Sequence, residues 1–228
     1  MRGNLALAAV AGLLLGGCSV LPGDGERGGS SGAKSPPLMS APVSRSPSAA
    51  QCLNTLGAAG ASYTPLPDRY LDRGCTNLGT VQLTALAGES AALQLGNIGP
   101  VTCDVSQAFA GWARFGADRA ARQILGSPLK RIETFGSYSC RNVAGSGRRS
   151  GHATAAAIDI SGFVLEDGRR ITVKGGWRGG SSAEKQFLRT VQHSACKRFD
   201  TVLGPEYNAA HEDHLHLEGV LHGTGFCR

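Results

Sequence analysis

Two histidines separated by a single residue, His214 and His216, lie close to the C-terminal end of the chain. The segment from His214 to Val220 has the pattern of a short strand, in which side chains two residues apart project from the same face. We therefore expect the two imidazoles to project together, with Leu215 and Leu217 turned toward the core. One imidazole can then hold a metal ion while the other lies beside it, so the fold has to supply further ligands next to this strand.

These further ligands are predicted from a second segment, Ser150-Gly-His152-Ala-Thr-Ala-Ala-Ala-Ile-Asp159. Asp159 lies within an apolar run from Ala157 to Val164, where an unpaired carboxylate is costly. The carboxylate is therefore expected either to bind a divalent ion or to form a salt bridge. His152 lies in the loop that leads into this run. His152, Asp159 and one of the later histidines would give two nitrogen ligands, one oxygen ligand and an open position, as in catalytic rather than structural zinc sites.

Several other polar residues are candidates for chemistry beside such a zinc ion. The open position would hold a water whose pKa the metal lowers toward neutrality. A general base would accept a proton from this water, and a cation would stabilise the oxyanion. The candidates for the base are His214, Asp213 and His211. The candidate cation is Arg141, unless that guanidinium simply pairs with an acid.

The N-terminal segment is predicted to direct export and is not expected to belong to the fold. Arg2 supplies a positive charge, and the apolar run from Leu5 to Leu15 is too short for a stable transmembrane anchor. Leu15-Gly-Gly-Cys18 resembles a lipobox, the cleavage and lipidation signal of bacterial lipoproteins. We therefore expect residues 1–17 to be a lipoprotein signal peptide and Cys18 to carry the lipid. An ordinary secretory signal is the alternative.

The segment after Cys18 is predicted to be a tether. Residues 18–50 are rich in glycine, serine and proline and cannot bury a core. Ser19 directly after the cysteine favours the outer membrane, so the predicted location is the periplasmic side of the cell envelope. Residues 51–228 have the size of one domain, which we expect to be a monomer.

Six further cysteines are widely spaced along the chain: Cys52, Cys75, Cys103, Cys140, Cys196 and Cys227. An even number in an exported protein indicates three disulfides. No Cys-x-x-Cys spacing occurs, so a cysteine-ligated zinc ion is not expected. Spacing does not choose among the many possible pairings. The preferred arrangement is Cys52–Cys75, Cys140–Cys196 and Cys103–Cys227.

The net charge of the chain is modestly positive, +6 at pH 7. This charge suits loose attraction to an anionic envelope polymer. The basic residues are scattered, few aromatic residues accompany them, and the chain is expected to be exported. Nucleic acid is therefore not an expected partner.

The remaining sequence patterns predict an α+β domain. A helix is predicted from Asp104 to about Leu125, with Asp104 as the N-cap and with an apolar face formed by Val105, Ala108, Trp112 and Phe115. A second helix is predicted from Ser182 to Phe199, with Phe187, Val191 and Ala195 along one face. Strands are predicted at residues 129–135, 157–164, 170–173, 201–203 and 214–220. Because the strands cluster around the histidines, we expect an antiparallel sheet core that carries the zinc site, flanked by helices and stabilised by disulfides.

The combined motif Tyr138…Arg141…Ser150-x-His152-x6-Asp159…His214-x-His216 resembles that of the LAS metallopeptidases. This group includes lysostaphin-type endopeptidases, D-Ala-D-Ala carboxypeptidases and dipeptidases, and the penicillin-insensitive murein endopeptidase. More closely, the stretch from about Cys52 to Cys227 resembles the bacterial extensin-like C-terminal domain family. The motifs that carry this resemblance include Phe135-Gly-Ser-Tyr-Ser-Cys-Arg141, Val202-Leu-Gly-Pro205 and His211-x-Asp213-His214-x-His216.

The LAS resemblance implies a role for each candidate residue. The implied zinc ligands are His152, Asp159 and His216. His214 would serve as base or transition-state stabiliser, although some members use an acid at the position of Asp213. The murein endopeptidase spacing His-x2-His-x-His also includes His211, and Arg141 would hold a substrate carbonyl or carboxylate. One position departs from the group, which usually has glycine where this chain has Ala155; an alanine there costs energy if the turn requires a positive φ.

These features predict a zinc-dependent envelope hydrolase, anchored by lipid at Cys18, that cleaves a peptide bond in peptidoglycan. A first alternative is a non-catalytic lipoprotein that binds peptidoglycan or a protein partner and retains a structural metal or none. Hedgehog-type signalling domains resemble the LAS group and show that such a site can be retained without obvious peptidase activity. A second alternative is a zinc amidase or esterase that acts on another envelope substrate.

Overall fold

The structure is a computed structural model that describes residues 47–228. The predicted signal peptide, the lipidation site Cys18 and the predicted tether up to residue 46 lie outside the described residues. Among residues 47–228, no helix combines the length and the apolar character needed to cross a membrane. The first helix begins at Pro47, so the last residues of the predicted tether are helical.

The described chain contains four α-helices and twelve β-strands. The helices are α1 (Pro47–Ala58), α2 (Cys103–Trp112), α3 (Val173–Gly179) and α4 (Ser182–Ala195). The strands are β1 (Ser62–Pro65), β2 (Arg69–Asp72), β3 (Cys75–Asn77), β4 (Thr80–Ala87), β5 (Ala92–Gly96), β6 (Pro100–Thr102), β7 (Leu129–Gly136), β8 (Ala157–Leu165), β9 (Arg170–Thr172), β10 (Thr201–Leu203), β11 (Leu215–Glu218) and β12 (Phe226–Cys227).

Ten of these strands form one sheet in the order β1-β4-β5-β7-β8-β11-β10-β12, with β6 beside β4 and β9 beside β8. β2 and β3 form a separate hairpin. The α+β class with a sheet core is confirmed, but the sheet is mixed, because β5 pairs with β7 and β10 with β12 in parallel. The part that carries the histidines, β7-β8-β11, is antiparallel as predicted, and the five strands predicted around the histidines match β7 to β11 within two residues at each end.

The first predicted helix has the expected extent but a different start and geometry. Its N-cap is Thr102 rather than Asp104, which lies in the first turn. After Trp112 the helix continues as two π-helical segments, Ala113–Asp118 and Ala121–Leu125, and it ends at Gly126 in the left-handed region. Within the first of these segments the buried residues are Ala113, Gly116, Ala117 and Asp118. Phe115, predicted to lie on the apolar face, is instead 46% exposed.

α4 packs against this long helix and the sheet. Its predicted apolar face, Phe187, Val191 and Ala195, is fully buried. The Nε1–H of Trp112 donates to the carbonyl of Val191 at 2.9 Å, and Phe163 from β8 contacts the rings of Trp112 and Phe187. The α-helix ends at Ala195, four residues before the predicted end. This core supports the opposite side of the strands that carry the candidate ligands.

The six cysteines that follow Cys18 form three disulfides, as predicted, but the preferred pairing is wrong. The bonds are Cys52–Cys103, Cys75–Cys140 and Cys196–Cys227. The Cα atoms of the pairs lie 6.2, 5.5 and 5.7 Å apart. The preference failed because the pairing depends on which elements pack together: α1 lies against the start of α2, β3 lies near the segment after β7, and the end of α4 lies beside β12. The second bond fixes the segment that carries Arg141.

Candidate metal centre

Two of the predicted ligands face each other across neighbouring strands. β8 and β11 are antiparallel, and their register places His216 directly opposite Asp159. Leu215 and Leu217 are fully buried, as the alternation predicts, so His216 projects from the other face of β11. A one-residue slip in register would turn this imidazole to the core side, so the strand pairing itself specifies the contact.

His152 reaches the same place from a 3₁₀ turn, Gly151–Thr154, that leads into β8. The turn begins at Ser150, whose side chain accepts a hydrogen bond from the backbone N–H of His152. It ends at Ala155, whose φ of 55° lies in the left-handed region. This is the position at which the LAS pattern has glycine. The turn therefore does require a positive φ, which costs an alanine about 1–2 kcal/mol.

The donor atoms of His152, Asp159 and His216 converge. His152 Nε2 lies 3.1 Å from Asp159 Oδ2, and His216 Nδ1 lies 2.9 Å from Asp159 Oδ1. The two imidazole nitrogens are 3.1 Å apart. All three residues are buried, and together they form a group able to hold a metal ion. Ligands bound at about 2.0–2.1 Å to a tetrahedral zinc ion lie roughly 3.3 Å from one another, so this spacing fits such an ion.

The tautomers of both histidines are set from outside this cluster. His152 Nδ1 lies 2.9 Å from the carbonyl oxygen of Ser137, which only accepts, so Nδ1 carries a proton. His216 Nε2 lies 2.8 Å from Glu218 Oε2, so Nε2 donates to this carboxylate. In a neutral imidazole the second nitrogen, which faces Asp159, then carries no proton and presents a lone pair. Two lone pairs and a carboxylate that face one another require a cation between them.

The electrostatics of the cluster indicate the same demand for a cation. Burial raises the pKa of Asp159, but the contacts with His152 and His216 lower it more, so the pKa of this carboxyl lies well below its usual range. Burial lowers the pKa of His216, but its hydrogen bonds to Asp159 and Glu218 raise it to about 9. The site thus holds a fixed negative charge and draws positive charge to its donor atoms. A proton or a metal ion can supply that charge.

Two of the candidate bases lie beside the cluster as a pair. His214 Nδ1 lies 2.8 Å from Asp213 Oδ1, and His214 Nε2 lies 3.5 Å from Asp159 Oδ1. The imidazole therefore presents Nε2 to the cluster and Nδ1 to Asp213. This arrangement can hold His214 in one tautomer and place a proton acceptor next to the three converging donor atoms.

His211 is the third candidate base, and its ring lies 5.1 Å from that of His214 and 5.8 Å from that of His216, between centroids. Its Nδ1 lies 2.7 Å from Asn208 Oδ1. Burial, followed by the charges of His214 and His216, lowers the pKa of His211 to about 4, so this imidazole is neutral at pH 7. Arg141 also contributes to this shift, which places its exposed guanidinium within electrostatic reach of the site.

Two exposed aromatic rings flank these histidines. Phe135, at the end of β7, lies edge-on to His214 at 6.0 Å between ring centroids and is 56% exposed. Tyr207 lies 5.5 Å from His211 and is 43% exposed. These two rings offer apolar contact area to a ligand that approaches the histidines.

The structure brings the predicted ligands and the candidate bases to one region, with Arg141 within electrostatic reach, and it adds two contacts that the sequence analysis missed. Glu218 continues the period-two pattern His214-x-His216-x-Glu218, so the same strand argument could have found it. Ser137 acts through its backbone carbonyl, for which the sequence carries no signal.

Residues 50–228 match the family described as "Extensin-like protein C-terminus". The chain belongs to this family. The match covers the whole of the extensin-like domain, from within α1 to the last residue, and includes all the residues of the candidate centre. No curated protein and no solved structure matches the chain significantly. These comparisons provide no link to the LAS metallopeptidases, so that resemblance remains an expectation from the sequence.

Proposed function

We propose that this extensin-like domain is a zinc-dependent hydrolase of the cell envelope that cleaves a peptide bond in peptidoglycan. The observation that carries the proposal is the convergence of His152, Asp159 and His216, with one ring nitrogen of each imidazole directed at the carboxylate. Two nitrogen donors and one oxygen donor are the ligand types of catalytic zinc sites, which keep a position for substrate or water. The LAS resemblance assigns the ligand role to the same three residues.

The neighbouring residues are suited to acid–base work. A zinc ion held by the three ligands would supply a Lewis acid and a water of lowered pKa. His214, oriented by Asp213, would take a proton through Nε2 and return it to the leaving amine. His211 is a second neutral imidazole, with its ring centroid 5.1 Å from that of His214, and could share that task. Arg141 would hold the carbonyl or carboxylate of the substrate and oppose the negative charge that develops there.

The proposed substrate follows from the proposed location. The lipobox-like segment ending at Cys18 and the following polar tether support an exported lipoprotein, with the outer membrane favoured by Ser19. A domain tethered in this way meets the cell wall first. The proposed partners are the membrane, through the lipid on Cys18, and a peptide of peptidoglycan. The domain would act as a monomer, and nucleic acid is not a proposed partner.

Metal analysis of the oxidised chain without signal peptide and Cys18 tests the zinc centre. We expect about one zinc per chain in the wild type, and we expect His216→Ala and Asp159→Ala to lose it. His193→Ala provides the matched control, because His193 is an exposed histidine on α4. A well-folded wild type that takes up no zinc, even when zinc is added, would refute the hydrolase proposal and favour a binding module.

Digestion of purified peptidoglycan, followed by chromatography and mass spectrometry of the released fragments, tests the reaction. New amino and carboxyl termini within the peptides would support the peptidase assignment. Cleavage between sugar and peptide would indicate the amidase alternative. A zinc-loaded protein that binds peptidoglycan but releases nothing would indicate the non-catalytic alternative.

A further inference from the structure

We propose that Glu218 is a positioning residue of this centre, which fixes the ring of His216 so that Nδ1 faces Asp159 and His152. The proposal rests on the proposed function for the identity of the metal. The geometry on which it depends is a contact within the chain. Glu218 Oε2 lies 2.8 Å from His216 Nε2, and Glu218 follows His216 by two residues on the same face of β11.

This contact selects one orientation of the imidazole. A buried histidine ring without a partner can rotate about χ2, so that it presents either a nitrogen or a carbon to its neighbour. The carboxylate of Glu218 holds Nε2–H and leaves Nδ1 directed at Asp159, 2.9 Å away. Acceptors that orient metal-binding histidines in this way raise metal affinity, because the ligand atom is already in place.

The other imidazole is held in a matching way. The carbonyl of Ser137 accepts from His152 Nδ1 and leaves Nε2 directed at Asp159. Each histidine therefore has its own acceptor on the side away from the carboxylate. One acceptor is a backbone group that no substitution removes directly, and the other is the side chain of Glu218, which can be tested.

Gly151, the residue before the first ligand, makes room for this carboxylate. A Cβ atom at Gly151 would lie 2.7 Å from each carboxylate oxygen of Glu218 and closer still to its Cδ atom. The φ of Gly151 does not lie in the left-handed region, so the backbone alone would accept an alanine. The glycine is thus needed because Glu218 packs against it. A methyl group at this position would displace Glu218 without changing any ligand.

Zinc affinity, measured by competition with a chromophoric chelator on the oxidised chain, is the first test. We expect Glu218→Ala to weaken zinc binding by about 10–100-fold. Glu218→Gln should weaken it less, because the amide oxygen can still accept from Nε2–H. Gly151→Ala should resemble Glu218→Ala. Unchanged affinity in Glu218→Ala would overturn the proposal.

Two matched variants separate this effect from a general loss of stability. Gly147→Ala changes a glycine in the same loop at which an added Cβ meets no atom within 4 Å. Glu89→Ala removes a partly exposed glutamate that lies between β4 and β5 and pairs with Arg119. Both variants should bind zinc like the wild type. An equal loss of affinity in these controls would assign the effect to stability and would overturn the positioning role.

A second readout does not depend on zinc. In the protein labelled with ¹⁵N-histidine, the Nε2–H of His216 should give a downfield proton signal with or without zinc, because Nε2 carries a proton in both the neutral form held by Glu218 and the imidazolium. Glu218→Ala and Gly151→Ala should lose this signal, and Glu218→Gln should retain it. If the wild type binds no zinc but the signal behaves in this way, the proposed function fails and the positioning role stands. If the signal persists in Glu218→Ala, the positioning role fails, whatever the zinc content.

Discussion

Asp213 Oδ1 lies 2.8 Å from Nδ1 of His214, whereas the other ring nitrogen of His214, Nε2, faces Asp159. Asp213 is therefore not directed at the three converging donor atoms, and the imidazole lies between it and them. Of the alternatives left open by the sequence, this geometry favours His214 as the group that exchanges protons and Asp213 as its orienting partner.

Replacing His214 is accordingly expected to separate catalysis from metal binding. His214→Ala should lower kcat by about 10²–10⁴-fold, the usual contribution of a positioned general base, while the zinc content stays near that of the wild type. Asp213→Asn should lower kcat by less, because the imidazole remains. Rates of fragment release from peptidoglycan and zinc per chain, measured on the same samples, check both expectations. A loss of zinc in His214→Ala would instead make His214 a ligand.

Asp159 provides a test that needs no substrate. Asp159→Asn keeps the volume of the side chain but removes the charge that the two imidazoles share, so zinc should no longer stabilise the fold. At a zinc concentration about 100-fold above the dissociation constant, the wild type should gain about 2.7 kcal/mol, or roughly 5–10 °C in melting temperature. Calorimetry with zinc and with a chelator measures this difference. Equal stabilisation of wild type and variant would place the metal elsewhere.

The parts of the fold that could be predicted from the sequence are those that depend on the residue pattern of a single strand or a single helix face. The alternation around His216 correctly predicted β11 and the direction of the His216 side chain, and the apolar run around Asp159 correctly predicted β8. The pairing of β8 with β11 brings Asp159 and His216 together, so predicting this contact required only that the two strands be neighbours. Glu218 continues the same alternation and shares the face of His216, although it was not among the predicted site residues.

The parts that the sequence could not supply depend on packing between distant segments. The disulfide pairing required knowledge of which elements lie side by side. α3 contains several glycines and has little intrinsic helix propensity. It forms because the Thr172 side chain accepts from the N–H of Gly175 and because Trp177 is buried against the core. The residue pattern also did not predict the π-helical geometry after Trp112, where Gly116 and Ala117 are buried and Phe115 is exposed.

The exposed rings beside the histidines should contribute to substrate binding. Phe135→Ala and Tyr207→Ala should raise KM for peptidoglycan fragments by roughly 5–10-fold, which corresponds to the loss of about 1 kcal/mol of aromatic contact, and should leave the zinc content unchanged. Phe115→Ala is the matched control, because Phe115 is similarly exposed but lies on the long helix. An equal effect of all three substitutions would argue against a specific binding surface.

The disulfide Cys75–Cys140 is expected to support the site as well as the fold. Replacing both cysteines with alanine should lower stability by about 4 kcal/mol, as for other long closed loops, and should also weaken zinc binding, because the bond anchors the segment that contains Ser137 and Arg141. The matched control removes Cys52–Cys103, which closes a loop of similar length between α1 and α2. Denaturant unfolding and chelator competition should show a similar loss of stability for both pairs and a loss of affinity for the first alone. Equal zinc affinity in the two double variants would contradict this expectation.

The N-terminus of α4 gives a prediction about pH. Ser181 Oγ accepts from the N–H of Glu184, and Glu184 Oε2 accepts from the N–H of Ser181 at 2.7 Å, which is a complete capping box. Ser181→Ala should therefore lower the free energy of unfolding by about 1 kcal/mol at pH 7. The hydrogen bonds with Ser181 lower the pKa of Glu184 below its ordinary value of 4.5 in the folded protein.

Because the folded-state pKa of Glu184 is depressed, its contribution to stability is fully present above the ordinary pKa and is lost as the pH falls through the folded pKa. In Glu184→Gln this part of the pH dependence should be absent. Denaturant unfolding of wild type and Glu184→Gln between pH 3 and pH 7 compares the two slopes, with Glu206→Gln as a control, since Glu206 pairs with Arg189 at the surface and forms no cap. Parallel stability curves for wild type and Glu184→Gln would show that the carboxylate does not act through the capping box.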